Sequence, residues 1–135
     1  MRCELCDINR EEVIVHKASY RVILIDDADY PGFCRVIWND HVKEMTDLME
    51  AEQHLMMKAV FSVESAVREI MQPDKINLAS LGNMTPHLHW HVIPRFTSDR
   101  HFPNPIWGQP QRAAALTPAA GWKMRLMQCI QKKLG

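Results

Sequence analysis

The chain has no net charge: sixteen Lys and Arg balance sixteen Asp and Glu over 135 residues. A neutral chain has no long-range field with which to gather nucleic acid or an acidic membrane, so any phosphate it binds has to be held by local geometry. A small-molecule partner is therefore favoured over nucleic acid. Long hydrophobic runs are also missing. No stretch approaches the roughly 20 apolar residues of a membrane span. The start, Met1-Arg2-Cys3-Glu4-Leu5-Cys6-Asp7, lacks the apolar core of an export signal. The expectation is a cytoplasmic protein with no membrane contact. Cysteines are few (Cys3, Cys6, Cys34 and Cys129), and in a reducing compartment they exclude a disulfide framework. Cys3-x-x-Cys6 then reads as half of a metal site or as a redox pair. No internal repeat, low-complexity tract or linker interrupts the first hundred residues, and the length suits one compact domain.

Against these absences stands a run of short β-branched segments. Val13 to His16, Tyr20 to Ile25 and Phe33 to Trp38 read as three strands. The Asp, Pro and Gly of the 26–32 segment make a turn between the second and the third. A long helix is expected from about Asp47 to Met71, because Leu48, Leu55, Val60, Val63, Val67 and Ile70 recur at helical steps. Asp47 and Glu50 resemble a capping box, and Pro73 stops the helix. Met49, Met56, Met57 and Met71 read as core fillers. Ile76 to Leu81 and His87 to Ile93 are further strands, separated by a turn over Gly82 to Pro86. A proline-rich tail with Phe102, Ile106 and Trp107 follows, expected to cover a cleft or an interface. A last helix runs from Thr117 or Pro118 to about Leu134. The order β-β-β-α-β-β-α points to an α+β domain, an antiparallel sheet with one long helix and a C-terminal helix packed on it.

The chemistry concentrates in His87-Leu88-His89-Trp90-His91. Alternate side chains of a strand share a face, about 7 Å apart, so His87, His89 and His91 face one way and Leu88, Trp90 and Val92 the other. Three imidazoles in register bring six ring nitrogens that need partners, which a structural role explains poorly. Two functional readings stay open. In one, the histidines bind a metal, although the outer pair would sit about 13 Å apart. In the other, a neutral ring attacks a phosphate while a protonated neighbour neutralises phosphoryl oxygens.

The pattern His-x-His-x-His followed by Pro94-Arg95 resembles the signature of the histidine-triad (HIT) family. Further segments are similar to the family's: Cys3-Glu4-Leu5-Cys6, Leu24-Ile25-Asp26 with Gly32, Trp38-Asn39-Asp40-His41, and Gly82-Asn83-Met84-Thr85-Pro86 ahead of the triad. The likeness spans roughly Cys3 to Arg95 and is greatest to the diadenosine tetraphosphate hydrolase-like bacterial members. It implies a HIT domain over residues 1–105, with 106–135 as C-terminal tail and helix. It implies a nucleotide hydrolase or nucleotidyl transferase acting at the α-phosphate of dinucleoside polyphosphates or nucleoside phosphoramidates. His89 would be the nucleophile, His91 a phosphate ligand and His87 a relay or metal ligand. Asp26, Asn77 and Asn83 would contact substrate, with Leu24 and Ile25 lining the base pocket and N–H groups after Gly82 adding to the oxyanion pocket.

The same resemblance implies a homodimer. It requires no cofactor, but places Cys3, Cys6, His41 and His87 where some members hold a structural zinc. Asn83 stands where the family has a longer Gln, and Met84 where it has a hydroxyl. A non-catalytic nucleotide-binding module and a zinc enzyme using the triad as ligands are the competing readings. Arg95, His16, His54 and His101 read as solvated, and Trp90 as core packing.

Overall fold

In the computed structural model, which describes residues 3–135, five strands form one antiparallel sheet. These are β1 (Glu12–His16), β2 (Tyr20–Leu24), β3 (Cys34–Trp38), β4 (Lys75–Ala79) and β5 (His89–Arg95). Their order is β1-β2-β3-β5-β4, so the histidine-bearing strand is internal and has a partner on each side. Two helices, α1 (Glu50–Met71) and α2 (Trp122–Leu134), cover one face. The expected α+β architecture is the observed one.

The alternation of residues explains the two faces. Val22, Val36 and Val92 point to the helices and join Met56, Val60, Val63 and Val67 of α1 with Leu126 and Ile130 of α2 in the main core. Burying side chains of this size stabilises by about 1.5–3 kcal/mol each. On the opposite face Ile23 and Ile37 pack beneath Leu5 of a 3₁₀ turn, Glu4–Cys6. That turn is tied down by Arg21, whose guanidinium donates to the Leu5 carbonyl and to Glu11.

Several boundaries differ from expectation for local reasons. α1 begins at Glu50, because Met45–Asp47 forms its own 3₁₀ turn. Asp47 caps that turn by accepting from the Glu44 N–H, and Glu52 accepts from the Met49 N–H. Leu55 is 41% exposed and Met49 69% exposed, while Met56 is fully buried. A shift of one residue rotates a helical side chain by about 100°, so Leu55 faces outward while Met56 is buried as expected. α2 starts at Trp122, after Gly121 in a left-handed conformation. Gly32 also has positive φ, and a Cβ there would lie 2.8 Å from Met71 Cγ, so the turn into β3 requires glycine. No helix among the described residues is long and apolar enough to cross a membrane.

Candidate functional site

β5 lies between β3 and β4, with Ile37 opposite His89 and Arg35 opposite His91. Cross-strand partners share a face, so Arg35, His89 and His91 stand together on the face away from the helices. His87 differs from expectation: it precedes the strand. Its N–H donates to Thr85 O and the Leu88 N–H to Val42 O, so these bonds replace β-ladder pairing there and occupy two of the N–H groups expected for an oxyanion pocket.

Each histidine has a separate environment. His87 is fully buried; its Nε2–H donates to the Trp38 carbonyl at 2.6 Å, leaving the Nδ1 lone pair free. His89 Nδ1–H donates to the His87 carbonyl at 2.6 Å. That bond sets the tautomer in which Nε2 keeps its lone pair. Burial lowers the pKa of His89, with the His87 carbonyl opposing and Arg35 adding to the fall. His91 accepts at Nδ1 from Arg35 Nε–H over 3.2 Å, so its ring proton sits on Nε2. Burial, then the Arg35 guanidinium and His89, push the His91 pKa down to about 3. The His89 and His91 rings meet edge to face at 4.9 Å.

The histidines do not converge on one point, which weighs against a metal held by the triad. His87 instead turns Nδ1 toward Cys3 and Cys6 Sγ, at 3.4 and 3.5 Å, and His41 Nδ1, at 3.2 Å; Cys6 and His41 are 3.5 Å apart. Zinc bound tetrahedrally, at about 2.0–2.1 Å to nitrogen and 2.3 Å to sulfur, spaces its ligand atoms about 3.3–3.8 Å apart. The two thiols and two imidazoles therefore fit such an ion in type, with four of their six separations at 3.2–3.5 Å and all within 4.8 Å. The His87 bond to Trp38 is of the kind that orients an imidazole when it binds a metal. Among the described residues no other three such side chains gather in this way.

A cleft of about 800 Å³, lined by Glu4, Leu5, Asp7, Glu11, Glu12, Ile23, Leu24, Ile25, Asp26 and Arg35, meets the triad face through Arg35; none of the three histidines lines it. Asp26 is exposed there. Asn77 lies on the triad face, its side-chain oxygen accepting from Arg95 Nη1 at 2.8 Å, which leaves its NH₂ to donate. Asn83 is exposed in the turn before the triad.

Arg95, expected to be solvated, is buried. It forms a two-pronged ion pair with the fully buried Asp99, at 2.8 and 3.1 Å, and donates to the Asn104 carbonyl. Asp99 also accepts from the N–H groups of Phe96, His101 and Phe102. This hub folds the tail back over the sheet. Ile106 packs near Tyr30, Phe33 and Ile93, and Trp107 stands edge-on to His91 at 5.0 Å. His101 is half-buried, 2.6 Å from the Tyr30 hydroxyl. His16 and His54 are exposed.

Arg35 and Asp99 were not singled out from sequence, whereas Trp107, expected to cover a cleft or an interface, stands against His91. For Arg35 a signal existed: a lone charge inside the apolar run Phe33 to Trp38. Ser80, whose hydroxyl donates to the His89 carbonyl at 2.8 Å, carried none.

The chain matches the HIT domain over residues 8–98. Comparison with curated proteins gives no match. Among solved structures, a histidine triad protein of Bradyrhizobium japonicum is 31% identical over 92% of each chain, with a TM-score of 0.74. A histidine triad protein of Sinorhizobium meliloti (23% identity, 93% of this chain and 92% of that one, TM-score 0.73) shares the fold. So does a hypothetical histidine triad nucleotide-binding protein of Sulfolobus tokodaii (18%, 98% and 91%, 0.67). By its matched domain and by the strand, turn and triad geometry, the chain belongs to the HIT domain family.

Proposed function

We propose that the protein is a nucleotide hydrolase or nucleotidyl transferase acting at the α-phosphate of dinucleoside polyphosphates or nucleoside phosphoramidates, close in kind to the diadenosine tetraphosphate hydrolase-like members of the family. The observation that carries this reading is the 2.6 Å bond from His89 Nδ1–H to the His87 carbonyl, which presents the Nε2 lone pair as a nucleophile. The nucleotide-binding description of the Sulfolobus tokodaii protein agrees with a nucleotide as substrate.

In the first step His89 Nε2 forms a bond to the α-phosphorus. The bond to the leaving group breaks, and that group departs with the electron pair and is protonated from water. In the second, water or another acceptor attacks the same phosphorus, loses its proton and displaces His89, which regains its lone pair. Splitting one displacement into two lowers each barrier. His91 Nε2–H donates to a phosphoryl oxygen as charge develops there. Asp26 accepts from ribose hydroxyls, Ile25 and Leu24 line the base side of the cleft, and Asn77 and Asn83 donate toward phosphate or ribose.

The test is to mix the protein with a dinucleoside polyphosphate, quench in mild alkali and look for a nucleotidyl adduct on His89. A substrate panel comparing dinucleoside polyphosphates with phosphoramidates then assigns the leaving group. Nucleotide binding with neither adduct nor turnover would favour the non-catalytic module. A homodimer is part of the proposal, and exposed Leu55, Phe61 and Leu78 are the apolar surface that a second copy would cover; sedimentation would measure it.

Cys3, Cys6, His41 and His87 would hold a structural zinc. When bound, the ion supplies a cross-link between the N-terminal turn and the start of the triad strand. Purified protein is expected to contain about one zinc per chain, and Cys6→Ser to lose it. Well under one zinc per chain by metal analysis would overturn this assignment.

A further inference from the structure

Arg35 is the permanent charge nearest the triad, and its two ends do different things. Nε–H points at His91 Nδ1 over 3.2 Å. Guanidinium does not deprotonate in a protein, so this contact survives only while Nδ1 keeps its lone pair. Protonating His91 would set two donors against each other. Among the described residues no carboxylate is hydrogen-bonded to His91 to support an imidazolium. Phe33 and Trp107 present rings at 5.6 and 5.0 Å, and His89 stands at 4.9 Å. The cross-strand neighbour from β4 is Ala79. Carboxylates of Glu4, Asp7, Glu11, Glu12 and Asp26 line the cleft with Arg35, but none is hydrogen-bonded to His91: Glu11 is bonded to Arg21, and Glu4 and Glu11 act on Arg35 through space. The guanidinium lies over the Phe33 ring, 5.8 Å from its centroid, and among the described residues neither Nη nitrogen has a hydrogen-bond acceptor. The residue also lines the cleft.

We propose that Arg35 fixes His91 as the neutral Nε2–H tautomer and is itself the cation of the phosphate site, so that His91 serves as a hydrogen-bond donor and not as a positive charge. This rests on the reading of His91 as the phosphate ligand, and it replaces the protonated neighbour expected from the sequence. Arg35 is a positioning residue toward His91 through Nε, and its Nη groups are left to meet phosphoryl oxygens. A permanent cation at this place favours substrates that carry further phosphates beyond the one attacked.

The test uses the full chain with ¹⁵N-labelled histidine, without ligand, titrated from pH 8 to pH 5. The His91 signals, assigned by their loss in His91→Gln, are expected to keep the neutral Nε2–H pattern throughout. In Arg35→Met the single tautomer should give way to a mixture of Nδ1–H and Nε2–H signals, and the His91 pKa should rise while burial still holds it below the ordinary histidine value of about 6.5. On a dinucleoside polyphosphate, kcat/KM of Arg35→Met should fall about 10²-fold, as for loss of one preorganised donor, with Arg35→Lys recovering a substantial part. A His91 that titrates between pH 8 and 5 in the unmodified protein overturns the tautomer assignment, and that measurement needs no variant to fold. Unchanged kcat/KM in Arg35→Met overturns the cation role. Absence of a nucleotidyl adduct would sink the proposed function, while the titration would still decide how Arg35 acts on His91.

Discussion

Replacing His89 by alanine is expected to lower turnover of a dinucleoside polyphosphate at least about 10⁴-fold, with substrate affinity little changed. The magnitude follows from the role. A group that forms the covalent intermediate has no substitute, whereas a residue that only binds would shift KM. The side chain is nearly buried, with its one protein hydrogen bond going to the His87 carbonyl. Its removal costs about 1 kcal/mol of stability, too little to unfold the protein. His54→Ala, exposed on α1, is the control and should retain full rate. Equal turnover in His89→Ala would show that phosphate chemistry takes place elsewhere. Residual turnover above the uncatalysed rate is expected from the remaining phosphate contacts.

The second large effect concerns the tail. Asp99→Ala is expected to cost about 3–5 kcal/mol, because Arg95 would be left buried without its carboxylate. For a domain of this size that corresponds to a melting temperature lower by on the order of 10–20 °C. Asp99 also anchors three N–H groups of the loop that brings Trp107 to His91, so the variant should lose rate as well as stability. The pH dependence has a defined sign. Burial alone would raise the Asp99 carboxyl, but the Arg95 guanidinium and the Phe96 and Phe102 N–H groups outweigh it and bring its pKa from 3.8 to about 2. A carboxyl depressed by folding stabilises the protein above its unfolded value and loses that contribution as pH falls through the folded one. The unmodified protein should therefore lose this part of its stability between about pH 4 and pH 2. In Asp99→Ala that part of the acid dependence should be missing. Thermal melts across this range measure both, and a fall of under about 2 °C at neutral pH would show that the pair contributes little.

What could be read without coordinates was what depends on near neighbours. Alternation in 88–93 separated the histidine face from the core face, and β-branched runs located β1, β2 and β3. The order of elements pointed to the α+β fold, and the His87-to-Arg95 signature to the family that the domain match shows. What could not be read depends on register. Arg35 means little until β3 is slid against β5 and it lands opposite His91. His87 leaves the strand because Val42, far off in sequence, captures the next N–H. Arg95 is buried only because the chain turns and returns Asp99 to it. Leu55 faces outward while Met56 is buried as expected, because adjacent apolar residues leave the phase of a helix ambiguous. The gathering of Cys3, Cys6, His41 and His87 followed from the family resemblance and not from spacing along the chain.

The pleat of β5 has a consequence for how this protein can change over time. Successive residues of one short strand answer to different kinds of selection. At Trp90 and Val92 a substitution is judged by how well it fills space against the helices, so apolar exchanges of similar volume should drift freely. At His89 and His91 shape is not enough, and even a near-isosteric Asn removes the required nitrogen lone pair or N–H. A saturation library across 88–93, sorted once for folded abundance and once for turnover, should split into two interleaved sets. Packing can then be renegotiated along this strand without disturbing the reaction, and the reaction retuned without reopening the core.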